Sequence, residues 1–264
     1  MHGEARTNLA DHLRTSMWFV LGLALCLLVF HDPLKVSPET ALRPPSFTFP
    51  GGTDRLGRDV LARASAGFKA SLGVAGTAEI ISLGASLIAN LLLLLLAKVR
   101  LKALLSVPLL ALRTVPPFLT GLALAALLGA TNWGLIIALA MISFPFEVAV
   151  VEEEINASIE MPHIEGARAI GLPFYMILFR HVGTIAAPRI MRYALLDFVG
   201  LVAFEALLGF VGMTRPPAPS IGAEIYNAGP YVAIYPWLFL VPGLLLAAGL
   251  IVFNAGFTRA LKGR

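Results

Sequence analysis

Residues 164–181 read "IEGARAIGLPFYMILFRH", and this passage interrupts a chain that is otherwise built from long apolar runs. Glu165, Arg168, Arg180 and His181 bring charge or polarity, while Gly166, Ala167, Ala169 and Gly171 crowd small side chains together. A helix is expected to end at Ile170. It begins as early as Asn156 or Ser158, or afresh at Pro162, a residue suited to a first turn. Gly171 then serves as the residue just past the helix, where the missing Cβ tolerates a left-handed backbone. Pro173 suits the first turn of a second helix. The passage therefore reads as helix, sharp turn, helix. Small residues allow another backbone to approach closely, and Glu165 and Arg168 offer charge on the exposed side. The segment is either a docking surface for a soluble partner or a plain hairpin with solvated charges.

The surroundings are membrane-like. Apolar residues make up 58% of the chain, charged residues 14%, and the mean hydropathy is +0.81. Soluble domains lie near 45–50% apolar and about 25% charged. Spans of roughly 20 residues are the natural unit for such a chain. Six apolar runs are expected to cross: Met17–Phe30, Leu72–Ala97, Thr114–Leu128, Trp133–Val151, Tyr193–Met213 and Ile234–Asn254. The first is short. It lacks an Ala-x-Ala cleavage pattern and reads as a signal anchor starting nearer Leu13. With the N-terminus inside, inner segments carry thirteen Lys and Arg and outer segments seven, six of them in the long segment 31–71. That asymmetry puts both termini, and the 164–181 hairpin, in the cytoplasm.

The long outer segment is Pro- and Gly-rich up to Gly52 and reads as extended loop. Asp59 is a plausible N-cap for a helix after it. Val60, Leu61, Ala64, Phe68 and Leu72 fall on one face, with Arg63, Ala66 and Lys69 opposite. This predicts an amphipathic surface helix, or else the outer end of span two. "LAKVRLKALLSVPLLALR" reads similarly at the inner surface and stops before Pro116-Pro117.

Several chemistries have no foothold. The lone Cys26 cannot build a disulfide framework. The net charge of +4 fits cytoplasmic loops, and no basic patch interleaved with aromatics suggests nucleic acid. His2, His12, His31, His163 and His181 are too scattered for a metal-ligand spacing. There is no Gly-x-x-x-x-Gly-Lys-Ser/Thr phosphate loop and no Gly-x-Ser-x-Gly nucleophile setting. Intramembrane acids are functional candidates by default. Glu205, in the outer half of span five, is expected either to serve as a polar site or to hydrogen-bond a neighbouring helix. Glu79 is placed near the outer end of span two, able to reach water, and Glu147 near the inner end of span four. Asp197 is expected to pair with Arg192 or Arg189. The run Glu152–Glu153–Glu154 is read as a solvated face, or as a salt-bridging patch for a partner.

The 164–181 passage resembles the EAA loop of ABC importer permeases, which runs Glu-Ala-Ala, then Gly, then Ile-x-Leu-Pro further on. Glu165, Gly166 and Ala167 stand for the first three, and Gly171 for the glycine of that motif. "ILFRH" resembles the downstream part in the dipeptide/oligopeptide/nickel branch. Gly166 replaces the central Ala, and Gly183 and Thr184 stand where Leu-Pro would be. "GTDRLGRDVLARASAGFKASL" (52–72), "EALLGFVGMTRPPAPSIGAEI" (205–225) and "PWLFLVPGLLLAAGLIVFNAGFTRAL" (236–261) resemble segments of the C-type subunit of peptide permeases, in the same order.

The resemblance implies an all-α polytopic subunit with the type I ABC importer permease fold. Residues 1–71 would hold an anchor helix and extracytoplasmic segment, and 72–264 a transmembrane core with the EAA-like loop at 152–192. It implies a non-enzymatic transport subunit of the bacterial inner membrane, carrying no cofactor, with ATP-Mg on two separate ATPase subunits. A second homologous permease would complete the path, and an extracytoplasmic binding protein would deliver di- or oligopeptides. Glu165, Gly166, Ala167, Arg168 and Gly171 would form the ATPase-coupling loop, with Glu205 and Glu79 as possible intramembrane polar sites. The same machinery with nickel, a metal chelate or another small solute is the alternative cargo. A secondary transporter would need repeats or coupling acids at the midplane, and a membrane enzyme a clustered constellation within the spans. Neither is visible in the sequence.

Overall fold

The computed structural model describes residues 31–95, 101–129, 131–214 and 219–262. The first apolar run, and with it the anchor-helix reading, lies outside the described residues. The described chain is helical, apart from loops and one isolated bridge between Thr53 and Asp59.

The loop 31–59 is organised around the buried Thr53, whose hydroxyl donates to the Thr40 carbonyl at 2.5 Å and accepts from the Arg43 amide at 2.8 Å. Asp54 closes the following turn by accepting from the amides of Leu56 (2.8 Å) and Arg58 (2.9 Å) and from Arg58 Nε (2.6 Å). Helix α1 (Val60–Leu95) starts where expected. Asp59 Oδ1 accepts from the Leu61 and Ala62 amides at 2.9 and 3.1 Å, which satisfies two of the otherwise orphaned first-turn donors. α1 then continues unbroken through residues 71 and 72. Surface helix and span are thus one element. At 1.5 Å per residue it is about 54 Å long, well beyond the ~30 Å hydrocarbon core, so its first turns stand outside the span. The polar face predicted for those turns is corrected at Arg63, which is 4% exposed and turned inward. Lys69 stays exposed.

Helices α2 (Leu101–Thr114) and α3 (Pro117–Leu128) meet at a bend of 99°. The residue before a proline is pushed out of helical conformation, and Pro116-Pro117 imposes this at consecutive positions. The expected third span is therefore half of a broken pair. Thr131 caps α4 (Asn132–Ile159), its hydroxyl accepting from the Gly134 amide at 2.9 Å. α4 runs past the expected end at Val151 and carries Glu152–Glu154 with it. Helix α5 (Pro162–Ala169) leads through a turn to Phe174–Val182, wound partly as π-helix, and on to α6 (Gly183–Phe210). Helices α7 (Ile221–Ala228) and α8 (Trp237–Lys262) complete the described chain. Four of these elements are long and apolar enough to cross a membrane, with the bent α2–α3 pair as a fifth.

α1, α4 and α6 pack together around Ala75, Ala78, Leu139, Leu201, Val202 and Ala206. The core is rich in alanine, while large side chains such as Ile80, Ile88, Leu127 and Leu244 point outward. Small residues inside and large apolar ones outside are expected of helices associating in lipid. α7 is wedged between α1 and α6 by close backbone approach. A Cβ on Gly222 would overlap the Ala206 carbonyl, and one on Gly67 would meet the Ile221 amide at 2.7 Å. Gly222→Ala is accordingly expected to lower stability by about 1–3 kcal/mol, read as a lower unfolding midpoint in detergent. An unchanged midpoint would mean that α7 is not clamped this tightly.

Candidate functional site

The hairpin of residues 160–192 is built locally. Pro162 opens α5, and Ile164 and Ala167 turn inward to pack on Ile177 and Val182, with Ile155, Leu172 and Leu178 around them. This small apolar cluster makes the hairpin self-supporting. The end of α5 is a Schellman motif: the Gly171 amide donates to the Arg168 carbonyl (2.9 Å) and the Leu172 amide to the Ala167 carbonyl (3.2 Å). Gly171 has φ +81°, the left-handed conformation its place in the sequence predicts. Pro173 is the residue preceding the next helical turn rather than within it.

The outer face of the hairpin carries Glu165, Gly166, Arg168, Ala169 and Gly171, all exposed. Ala167 departs from the expected docking face: at 7% exposure it belongs to the hairpin's own core. Sequence reasoning missed the apolar side chains beside this face. Ile170 is 77% exposed, Tyr175 63% and Phe179 70%. Their run, "IGLPFYMILF" (170–179), reads as interior by composition. The signal available was that three large apolar side chains sit within one turn or two of charged residues on a polar hairpin. Of the acidic run, Glu154 is engaged within the chain, accepting from Arg189 Nη1 at 3.2 Å, so Arg189 does not pair with Asp197.

A second polar site lies inside the helix bundle. Glu79 of α1, Glu147 of α4 and Asp197 of α6 converge so that one oxygen from each falls within 4.8 Å of the others. Glu79 is not at a watery helix end but 7% exposed, and Glu147 is fully buried. Glu79 lies about 28 Å along the ~54 Å helix α1, close to its middle. The expectation that Glu79 and Glu147 sit apart, each near a helix end and able to reach water, is overturned, because three helices far apart in sequence bring them together with Asp197. Ser82 donates to Glu147 and Ser143 to Asp197. Both oxygens of Glu79 and Oε1 of Glu147 have no hydrogen-bond partner among the described residues. Two like charges at this separation repel by about 3 kcal/mol even at an effective dielectric of ~20, so full ionisation requires a compensating positive charge.

Glu205 is a fourth intramembrane acid, 2% exposed. Its Oε1 accepts from the hydroxyl of Ser220 at the start of α7 (3.2 Å), the helix-to-helix hydrogen bond considered above. Its other oxygen is buried and has no hydrogen-bond partner among the described residues, while the residue borders a pocket of ≈ 370 Å³ lined also by Thr77, Asn132, Met213 and Thr214.

Four long apolar helices and a bent fifth pair, joined by a self-supporting hairpin with an exposed face of small residues, mark a multi-pass membrane protein. Residues 81–261 match the family described as binding-protein-dependent transport system inner membrane component; the chain belongs to this family. It is 27% identical to the probable D,D-dipeptide transport system permease protein DdpC of Escherichia coli K12, over 90% of this chain and 83% of that protein. It is 29% identical to the di/tripeptide transport system permease protein DppC of Pseudomonas aeruginosa, over 89% of this chain and 82% of that protein. Among solved structures, the inward-facing MetNI methionine ABC transporter superposes with a TM-score of 0.61, covering 74% of this chain and 93% of that one at 19% identity. An amino acid ABC transporter gives 0.62, covering 76% and 91% at 18% identity. At such identity the likeness establishes the fold, that of the ABC importer permeases.

Proposed function

We propose that this chain is one permease half of an ATP-driven importer of di- or oligopeptides in the bacterial inner membrane, with both termini in the cytoplasm. A homologous second permease completes the pathway, an extracytoplasmic binding protein delivers cargo, and two ATPase subunits bind and hydrolyse ATP-Mg. This chain itself binds no nucleotide and performs no hydrolysis. The observation that carries the reading is the hairpin. Its core is filled by its own side chains, yet it leaves Glu165, Gly166, Arg168 and Gly171 open beside Ile170, Tyr175 and Phe179. Exposed large apolar groups bordered by charge suit a protein–protein contact. Glu165, Gly166, Arg168 and Gly171 make the ATPase-coupling surface, and Ala167 gives it shape from within. Peptide as cargo is supported by the names of the two bacterial relatives. The secondary-transporter alternative gains the acid cluster that the sequence did not reveal, but family membership weighs against it.

The test is uptake and ATP hydrolysis by the whole complex in proteoliposomes, with a dipeptide, a longer peptide and a nickel chelate offered in parallel. Peptide is expected to stimulate both activities. Stimulation by nickel chelate alone would overturn the cargo reading, and uptake without ATPase subunits would overturn the importer reading.

A further inference from the structure

We propose that Glu79, Glu147 and Asp197 form a binding site for a hard divalent cation of the calcium class, buried between α1, α4 and α6. Each helix contributes one carboxylate, and one oxygen from each lies within 4.8 Å of the others. Calcium holds oxygen ligands at about 2.3–2.6 Å, so ligands on opposite sides of the ion stand about 4.6–5.2 Å apart. The three oxygens can therefore surround one ion without moving a helix. The independent sign of a ligand is Glu79 itself. It is more than nine-tenths buried, and neither of its oxygens meets a donor among the described residues; Oε1 of the fully buried Glu147 is in the same condition. Buried acceptors left without partners are rare in folded proteins.

Protons shared across the Glu79–Glu147 and Glu79–Asp197 contacts are the competing way to neutralise the cluster. A cation instead engages one oxygen of each of the three residues at once. The hydroxyls of Ser82 and Ser143 already hold Glu147 and Asp197 by hydrogen bonds, as outer partners orient metal ligands. The donor set is all oxygen, which favours hard cations over thiolate-seeking metals. Asp197 is only partly buried, leaving a side for entry. The ion would tie together three membrane helices that pack against one another. None of this depends on the cargo or on the importer reading.

The experiment is equilibrium dialysis of the detergent-purified, nucleotide-free assembly against radioactive Ca²⁺, comparing wild type with Glu79→Gln and Asp197→Asn. Wild type is expected to retain one Ca²⁺ per chain more than either variant, displaceable by Mn²⁺. Equal retention in all three would overturn the proposal. Should the variants fail to assemble, the wild type alone decides. Chelation is expected to lower its unfolding midpoint and added Ca²⁺ to restore it, and a midpoint indifferent to both would show that protons, not a cation, keep the cluster neutral.

Discussion

Arg63→Ala is expected to destabilise the protein by about 3–5 kcal/mol, the cost of breaking a buried ion pair from one side. Arg63 is 4% exposed, and its guanidinium grips Glu224 of α7 with two hydrogen bonds, Nε to Oε2 at 3.0 Å and Nη2 to Oε1 at 2.5 Å. Its Nη1 donates to the Pro33 carbonyl at 3.1 Å. One side chain thus ties the loop before α1, α1 itself and α7. Alanine would leave the Glu224 carboxylate, only 11% exposed, without its counter-charge. The pair Arg58–Asp54 is the natural comparison. It spans one turn of a loop, with the arginine side chain 20% exposed, so Arg58→Ala is expected to cost about 1 kcal/mol or less in ion pairing. The unfolding midpoint of the purified protein separates the two. Replacing both Arg63 and Glu224 by methionine is expected to recover most of the loss, because apolar pairs of similar volume often match or exceed buried ion pairs. If Arg63→Ala melts with wild type, the arginine is solvated in the assembled protein and the tie between α1 and α7 lies elsewhere.

What was legible in the sequence was local. The Asp59 cap, the Pro162 start and the Gly171 stop all depend on residues within one turn of each other, and spacing alone announces them. The membrane-spanning runs were legible because lipid demands long uninterrupted apolar stretches. Arg63 was assigned to the wrong face because a helical wheel sorts charge toward water. Here α7 supplies a carboxylate from far along the chain, and the wheel cannot register it. The cluster of Glu79, Glu147 and Asp197 was invisible for the same reason, since each acid lies alone within its own span and only packing of α1, α4 and α6 makes them neighbours. Ala167 shows the limit in the other direction. A stripe of small residues reads as one surface, but helical geometry sends Ala167 inward with Ile164, three residues earlier, and leaves Gly166 outside.

That division gives the sharpest test of the hairpin. Gly166→Trp is expected to lower cargo uptake and cargo-stimulated ATP hydrolysis by the assembled complex by about 10- to 100-fold, while leaving the chain's own fold intact. A Cβ at Gly166 meets nothing within 4 Å, so the new side chain leaves the backbone into open space on the exposed face. Its effect on the unfolding midpoint should stay within about 0.5 kcal/mol, as for surface positions generally. Against a partner that fits closely over Gly166 and Ala169, an indole ring is an overpacked side chain. Overpacking costs about 1–3 kcal/mol, and each 1.4 kcal/mol is about tenfold in binding. Ala167→Trp is the contrasting variant. It would force the ring among Ile164, Ile177 and Val182 and lower the midpoint as well as the activity. Loss of uptake with an unchanged midpoint for Gly166→Trp, beside loss of both for Ala167→Trp, would mark the exposed face as the coupling surface. Normal uptake by Gly166→Trp would mean that no partner closes over this face, and the hairpin would then be only a connection between α4 and α6.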